Sequence, residues 1–142
     1  MVSSLIAPIV DASRRALAAA APMRLAVLFG SAAAGRLRPA SDVDIAIWPS
    51  DPGLSLATEL DLQADLERAL GRSVDLVRLD SASTLVRWQV ARDGLLLIAE
   101  PASEWPRFRA AAASEWESFA PSFAEASRVF QQRLIATGRR DR

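Results

Sequence analysis

The 142-residue chain contains no cysteine, no histidine, no tyrosine and no lysine. Without cysteine it forms no disulfide and offers neither a thiolate nucleophile nor a zinc–thiolate site. Without histidine it has no imidazole base, no Ser-His-Asp triad and none of the commonest transition-metal ligand. Without lysine, Schiff-base chemistry and the P-loop lysine are excluded, and all 17 basic side chains are arginines. Without tyrosine, the chain cannot carry a tyrosine modification on itself. What remains for chemistry is carboxylates, hydroxyls, guanidiniums, backbone amides and hard cations held by oxygen.

Neither sign of charge is in excess, since 17 acidic residues balance the arginines. Zero net charge argues against bulk nucleic-acid binding as the main role, while leaving room for a local basic patch. Apolar residues make up 51% of the chain, and a domain of this length buries about 68–70% of its unfolded surface without staples. Long hydrophobic runs are absent. The stretch Leu5–Val10 is short, carries Pro8, lacks a preceding basic residue and runs into Asp11, Arg14 and Arg15. It reads as neither a signal nor a membrane segment, and the alanines at 18–21 only mimic a cleavage site. A cytoplasmic protein without membrane contact is expected.

Helices and short strands alternate along the chain. Alanine and leucine dominate from about Ala7 to Ala20, which predicts a helix ended by Pro22. Leu25–Phe29 is a continuous apolar run before Gly30 and reads as a buried strand. Val43–Trp48 reads as a second strand, closed by the turn cluster Pro49–Gly53. Leu54–Leu70 is a helix with Leu62, Leu66, Ala69 and Leu70 on one face and Gly71 just past its end. Val74–Leu79 is a third strand. Ser83–Arg92 is a helix capped by Ser81 or Ser83, and Asp93-Gly94 turns into a fourth strand, Leu95–Ala99. Glu104 to about Ala136 is helical, with Pro121 kinking or dividing it. The expected class is α/β (α+β), a small mixed four-stranded sheet flanked by helices. Residues 1–100 form the core, 101–138 a C-terminal helical extension packed on the core or on a partner, and 139–142 a disordered tail.

The chemistry concentrates between Phe29 and Asp44. Gly30 follows a buried strand and Ser31 opens an alanine-rich helical turn, which aims free N–H groups and a hydroxyl beyond the strand end. Asp42 and Asp44 are two apart on a strand, so both carboxylates project from one face. Neighbouring carboxylates repel unless a cation lies between them, and oxygen-only ligands suit Mg²⁺. Taken singly, a Gly-Ser after a strand is a turn, and Ser-Asp-Val-Asp is a cap with a solvated strand edge. Asp75 sits in the otherwise apolar Val74-Asp75-Leu76-Val77, where an unpaired charge is costly to bury. It is either an edge residue facing water or a third carboxylate converging on the same site.

Gly30-Ser31, ten residues, Asp42-Val43-Asp44 and the later Asp75 together resemble the nucleotidyltransferase superfamily that includes DNA polymerase beta. At this size the chain is similar to minimal nucleotidyltransferases, which act as antitoxins beside a helical HEPN-domain toxin. The resemblance covers about Leu25 to Glu100, and Ser114–Pro121 is similar, more weakly, to the antitoxins' C-terminal extension. It implies the nucleotidyltransferase fold, ATP as substrate and Mg²⁺, two ions, as cofactor. It also implies AMP transfer to a tyrosine of the HEPN partner in a hetero-oligomer, with nucleic acid not a substrate. Gly30 and Ser31 would hold the triphosphate, Asp42 and Asp44 would bind Mg²⁺, and Asp75 would complete the second metal site or accept the proton from the attacking hydroxyl. Ala32, Ala33 and Ala34 stand where the family carries polar or basic residues, which leaves Arg36 and Arg38 as candidates for further triphosphate contacts.

Two alternatives remain at this stage: an adenylyltransferase for a small molecule such as an aminoglycoside, and an antitoxin that acts by binding alone. Trp105, Phe108, Ala112, Trp116, Phe119, Phe123, Phe130 and Leu134 recur at helical spacing as core or as a partner-binding face. Arg87-Trp88 covers the sheet or stacks a base. The arginine tail is a solvated terminus or touches RNA or an acidic partner.

Overall fold

The computed structural model describes residues 5–140, with side chains described through Ala136. Among the described residues, five α-helices and four strands follow one another as α1 (Ala7–Ala20), β1 (Met23–Phe29), α2 (Gly30–Ala33), β2 (Val43–Pro49), α3 (Leu56–Leu70), β3 (Val74–Arg78), α4 (Thr84–Asp93), β4 (Leu95–Ala99) and α5 (Glu104–Arg140), with a short 3-10 turn at Leu79–Ser81 between β3 and α4. The sheet order is β3-β2-β1-β4, with β1 antiparallel to both β2 and β4 and β2 parallel to β3. The expected mixed four-stranded sheet is therefore present. Leu25, Ala26, Val27 and Leu28 of β1 are all buried, as an uninterrupted apolar run requires when strands flank both edges and helices cover both faces.

Side chains alternate between two cores. Ala26, Leu28, Val43, Ile45 and Ile47 face α1 and α3, where Ile9, Val10, Leu17, Leu62 and Leu66 meet them. Leu25, Val27 and Ala46 face α4 and α5, against Val90, Ala91, Phe108 and Ala112. Leu70 is half-buried, whereas Ala69, expected on the inner face of α3, is exposed. The helix ends follow local chemistry. Ser55 Oγ accepts from Thr58 N (3.1 Å) and Ser83 Oγ from Val86 N (3.2 Å), so Ser83 is the cap of α4. Gly71 closes α3 in the left-handed region at φ +64°.

Helix α5 corrects two expectations. It runs for 37 residues without a break at Pro121; one missing N–H removes a single intrahelical bond, and alanine, glutamate and phenylalanine on either side sustain the helix. No proline follows, and the backbone stays helical through Arg140, past the expected boundary at 138. Of the predicted tail 139–142, Asp141 and Arg142 lie outside the described residues. At about 1.5 Å per residue the helix is roughly 55 Å long, longer than the sheet face it covers. Phe108 and Ala112 are buried beneath it, while Phe119, Phe123, Phe130 and Leu134 are exposed. Among the described residues no helix is long and apolar enough to cross a membrane.

The division of α5 yields a measurable contrast. Phe108→Ala should lower the unfolding free energy in urea by about 3–5 kcal/mol, the cost of an aromatic cavity. Phe130→Asp, at a side chain 63% exposed, should shift it by less than ~0.5 kcal/mol. Unfolding of the isolated chain by Phe130→Asp would show that this half of the helix is core.

Candidate active site

The site grows out of the parallel pairing of β2 with β3, which sets Asp44 opposite Asp75. Cα partners share a face, and Asp42, two residues before Asp44, continues the alternation onto it. That face is the one covered by α4 and α5, but the acids lie at its end, past the cover. Asp42 and Asp75 are exposed and Asp44 is half-buried. Burial, then the charges of Asp75 and Asp42, raise the Asp44 carboxyl above its ordinary value.

Gly30 explains how close the chain comes to Asp44. Its φ is +70°, and a Cβ built on it would collide with Asp44 Oδ2. Both the backbone conformation and the space require glycine here. The carboxylate thus rests against the Gly30 backbone at the start of α2. A cavity of about 340 Å³ opens in front of it, walled by Gly30, Ser31, Arg36, Asp44 and, from α4, Gln89, Arg92 and Asp93. Of the sequence-derived residues, Gly30, Ser31, Arg36 and Asp44 line this cavity, whereas Asp42 and Asp75 are not in its wall.

Arg38 is not in the wall either. Gly35, at φ +72°, turns the chain after α2, and the Arg38 backbone then serves the loop. Its N–H donates to Ser41 Oγ (3.0 Å) and its carbonyl accepts from Arg72 Nη1 (2.7 Å), which also reaches the Pro39 carbonyl at 3.2 Å. Arg72, in the turn between α3 and β3, therefore holds the loop that delivers Asp42, as does the bond from Val43 N to the Ser73 carbonyl (2.9 Å). Sequence reasoning missed Arg72, Gln89, Arg92 and Asp93. The one available signal was the placement of Arg92 and Asp93 at the end of a helix leading into β4, the edge strand beside β1.

The donor set fits a hard divalent cation: three carboxylates on one face, repelling one another, with no nitrogen or sulfur ligand beside them. Among the described residues no three acidic side chains are gathered tightly enough to enclose an ion. Asp42, Asp44 and Asp75 share one face of the sheet, with Asp42 and Asp75 exposed at its open end.

A second cavity, about 230 Å³, lies at the far end of the same sheet face. There Trp48 carries the Arg24 guanidinium at 4.7 Å and that of Arg87 at 5.5 Å. Arg24 pairs with Glu104 (2.7 Å) and Arg87 with Glu115 (3.6 Å). These contacts tie α4, α5 and the sheet together. Trp88 stacks on Trp116 with centroids 6.0 Å apart, so both members of Arg87-Trp88 are occupied in packing rather than free for a base.

Two substitutions test this geometry. Gly30→Ala should cost about 1–3 kcal/mol, from the positive φ and the displaced Asp44. Because the native pKa of Asp44 lies above its ordinary value of 3.8, the folded chain holds that proton more tightly than the unfolded one. The corresponding stability is present below 3.8 and is lost as pH rises through the higher native value. Thermal melts should show Asp44→Asn as stable as the wild type or more so at pH 7, by no more than ~1 kcal/mol for this partly solvated group. A clear loss of stability would contradict the repulsion.

With this geometry in view, comparisons with known proteins are informative. The family model described as polymerase beta, nucleotidyltransferase, matches residues 15–102. A protein adenylyltransferase MntA of Aphanizomenon flos-aquae is 28% identical over 113 residues, 73% of this chain and 75% of that one. Among solved structures, a toxin–antitoxin complex with AMP-PNP matches at 30% identity and TM-score 0.73, over 85% of this chain and 98% of that one. The complex of tri-AMPylated Shewanella oneidensis HEPN toxin with its MNT antitoxin matches at 28% identity and TM-score 0.68, over 86% and 96%. The match spans β1, the cavity and all three aspartates, and the chain belongs to the polymerase beta nucleotidyltransferase family.

Proposed function

We propose that this chain is a cytoplasmic antitoxin, a protein adenylyltransferase that moves AMP from ATP to a tyrosine hydroxyl of a partner HEPN-domain toxin. The observation that carries the reading is Asp44, set opposite Asp75 on one side and against Gly30 on the other. That arrangement brings Gly30 and Asp44 of the motif together beside a cavity large enough for part of a nucleotide. Relatives described as an adenylyltransferase and as an antitoxin bound to an AMPylated HEPN toxin support the acceptor and the partner.

Asp42 and Asp44 would hold Mg²⁺, as two ions if Asp75 joins the ligand set. The metal supplies charge neutralisation between carboxylates and triphosphate and stabilises the oxygens of an in-line displacement. Gly30 and Ser31 orient the triphosphate along the cavity, and Arg36 adds a charged contact from its rim. The tyrosine oxygen forms its bond to the α-phosphorus as the bond to the β-phosphate oxygen breaks, releasing pyrophosphate. A tyrosine hydroxyl has a pKa near ~10, so its proton needs an acceptor at neutral pH. Asp75, exposed on the acid face, would serve as that acceptor. Exposed Phe119 and Phe123 of α5, clustered with half-buried Trp116 at centroid distances of 5.7–5.9 Å, and Phe130 and Leu134 beyond them offer an apolar surface for the partner protein.

Incubation of the chain with labelled ATP, Mg²⁺ and the HEPN protein, followed by peptide mass spectrometry, should place AMP on a partner tyrosine. Asp42→Asn or Asp44→Asn should lower transfer by at least ~10²-fold, a typical effect of removing a group that stabilises the transition state. Asp75→Asn should lower kcat with ATP affinity nearly kept if Asp75 serves the acceptor, and should weaken ATP binding as well if it is a metal ligand. Label on a small molecule with none on any tyrosine would contradict the proposed acceptor.

A further inference from the structure

Arg92 and Asp93, the last two residues of α4, line the cavity opposite Gly30 and Ser31, and the family motif uses neither. Arg92 Nε donates to Asp93 Oδ2 at 2.8 Å, and Nη2 forms an ion pair with the same oxygen at 2.7 Å. Adjacent residues on a helix do not face each other, so this pairing folds the guanidinium back over the helix end. From the other wall Arg36 acts on the same carboxylate. Asp93 is held below the usual carboxylate range, by Arg92 first and Arg36 last.

The position of the pair is rigid even though its side chains are exposed. Gly94 N donates to the Val90 carbonyl at 2.9 Å, and a Cβ at Gly94 would collide with that oxygen and press on Val27 of β1. The end of α4 is thereby fixed against the central strand at the mouth of the cavity. The charge of Asp93 does not serve its own helix, because an acid in the last turn opposes the macrodipole. Nor does it serve the core, being exposed. What it does is occupy the guanidinium of Arg92.

We propose that Arg92 is a triphosphate-binding residue and that Asp93 is its positioning partner, holding the guanidinium at the cavity mouth until the polyphosphate of a nucleoside triphosphate displaces the carboxylate. The inference rests on the adenylyltransferase reading and adds to it a residue pair with opposite expected effects. A guanidinium fork matches phosphate oxygens in two parallel hydrogen bonds. A triphosphate carries several charges where Asp93 carries one, so exchange of partner is favourable. Asp93 also keeps Arg92 and Arg36, two like charges at one rim, from repelling each other while the cavity is empty.

Calorimetric titration of the full chain with ATP and Mg²⁺ tests this. Arg92→Gln should weaken ATP binding about tenfold, the loss of one charge-assisted contact. Asp93→Asn should tighten it by about threefold, because the competitor for the guanidinium is gone. The double variant should lie closer to Arg92→Gln alone than additivity predicts, since Asp93 acts mainly through Arg92 and only secondarily through Arg36. Both sites are exposed, so thermal midpoints should stay within about 2 °C of wild type. Unchanged affinity in Arg92→Gln, weaker or unchanged affinity in Asp93→Asn, or additive effects in the double variant would overturn the proposal. ATP binding that is lost in Asp44→Asn but indifferent to Arg92→Gln would overturn this inference alone. A wild-type chain that binds no ATP would overturn the function on which it rests.

Discussion

Like charges on one face of the sheet are the constraint around which this molecule is arranged. Asp42, Asp44 and Asp75 repel one another, yet the chain cannot relieve that repulsion by shifting its strands. The residues alternating with them, Val43, Ile45 and Ile47, are fully buried against α1 and α3. A slip of one residue in β2 would carry all three into the opposite face and expose the acids' positions to the wrong core. The apolar side of the sheet therefore holds the acidic side in register. Carboxylates held together in this way favour a cation between them.

The two faces divide the work. One is sealed by α1 and α3 and carries the hydrophobic stability. The other is only partly covered, because α4 and the first turns of α5 pack over Leu25, Val27 and Ala46 and leave the Asp44 end open. Arginine is used throughout as a structural fastener, in keeping with the absence of lysine. Arg72 secures the loop before Asp42. Arg87 caps the carbonyls of Leu79 and Asp80 (3.0 and 3.1 Å) while lying near Trp48. A planar fork that satisfies two acceptors at once suits these roles better than a point charge. Farther along α5, Phe119 and Phe123 cluster with Trp116, and Phe130, Leu134 and Ile135 are exposed.

Much of the fold could be read from periodicity. The apolar run of β1, the turn clusters after β2 and the glycine ending α3 each state a local preference that tertiary packing obeys. Gly30, Ser31, Asp42 and Asp44 were legible because their types are rare in that pattern and their spacing is short. The sense and order of the strands were not legible, since nothing in a five-residue strand states which edge it will pair with. The α4 residues of the cavity escaped notice for a related reason. Gln89, Arg92 and Asp93 lie about 60 residues from Gly30, and exposed polar side chains at a helix end look like any solvated surface. Arg38 is suggested by its proximity in sequence; after the turn at Gly35 it is not in the cavity wall, and its backbone serves the loop before Asp42. Pro121 is expected to kink or divide the last helix, and the helix continues through it because local propensity is only a weak prior.

The dependence of the site on a cation is the claim most directly open to measurement. Titration of ATP into the wild-type chain should be carried out in Mg²⁺ and again in excess EDTA. If carboxylate repulsion governs the cavity, ATP binds with Mg²⁺ and its affinity falls by more than about tenfold when the cation is removed. Equal affinity in the two conditions would contradict the account at its centre.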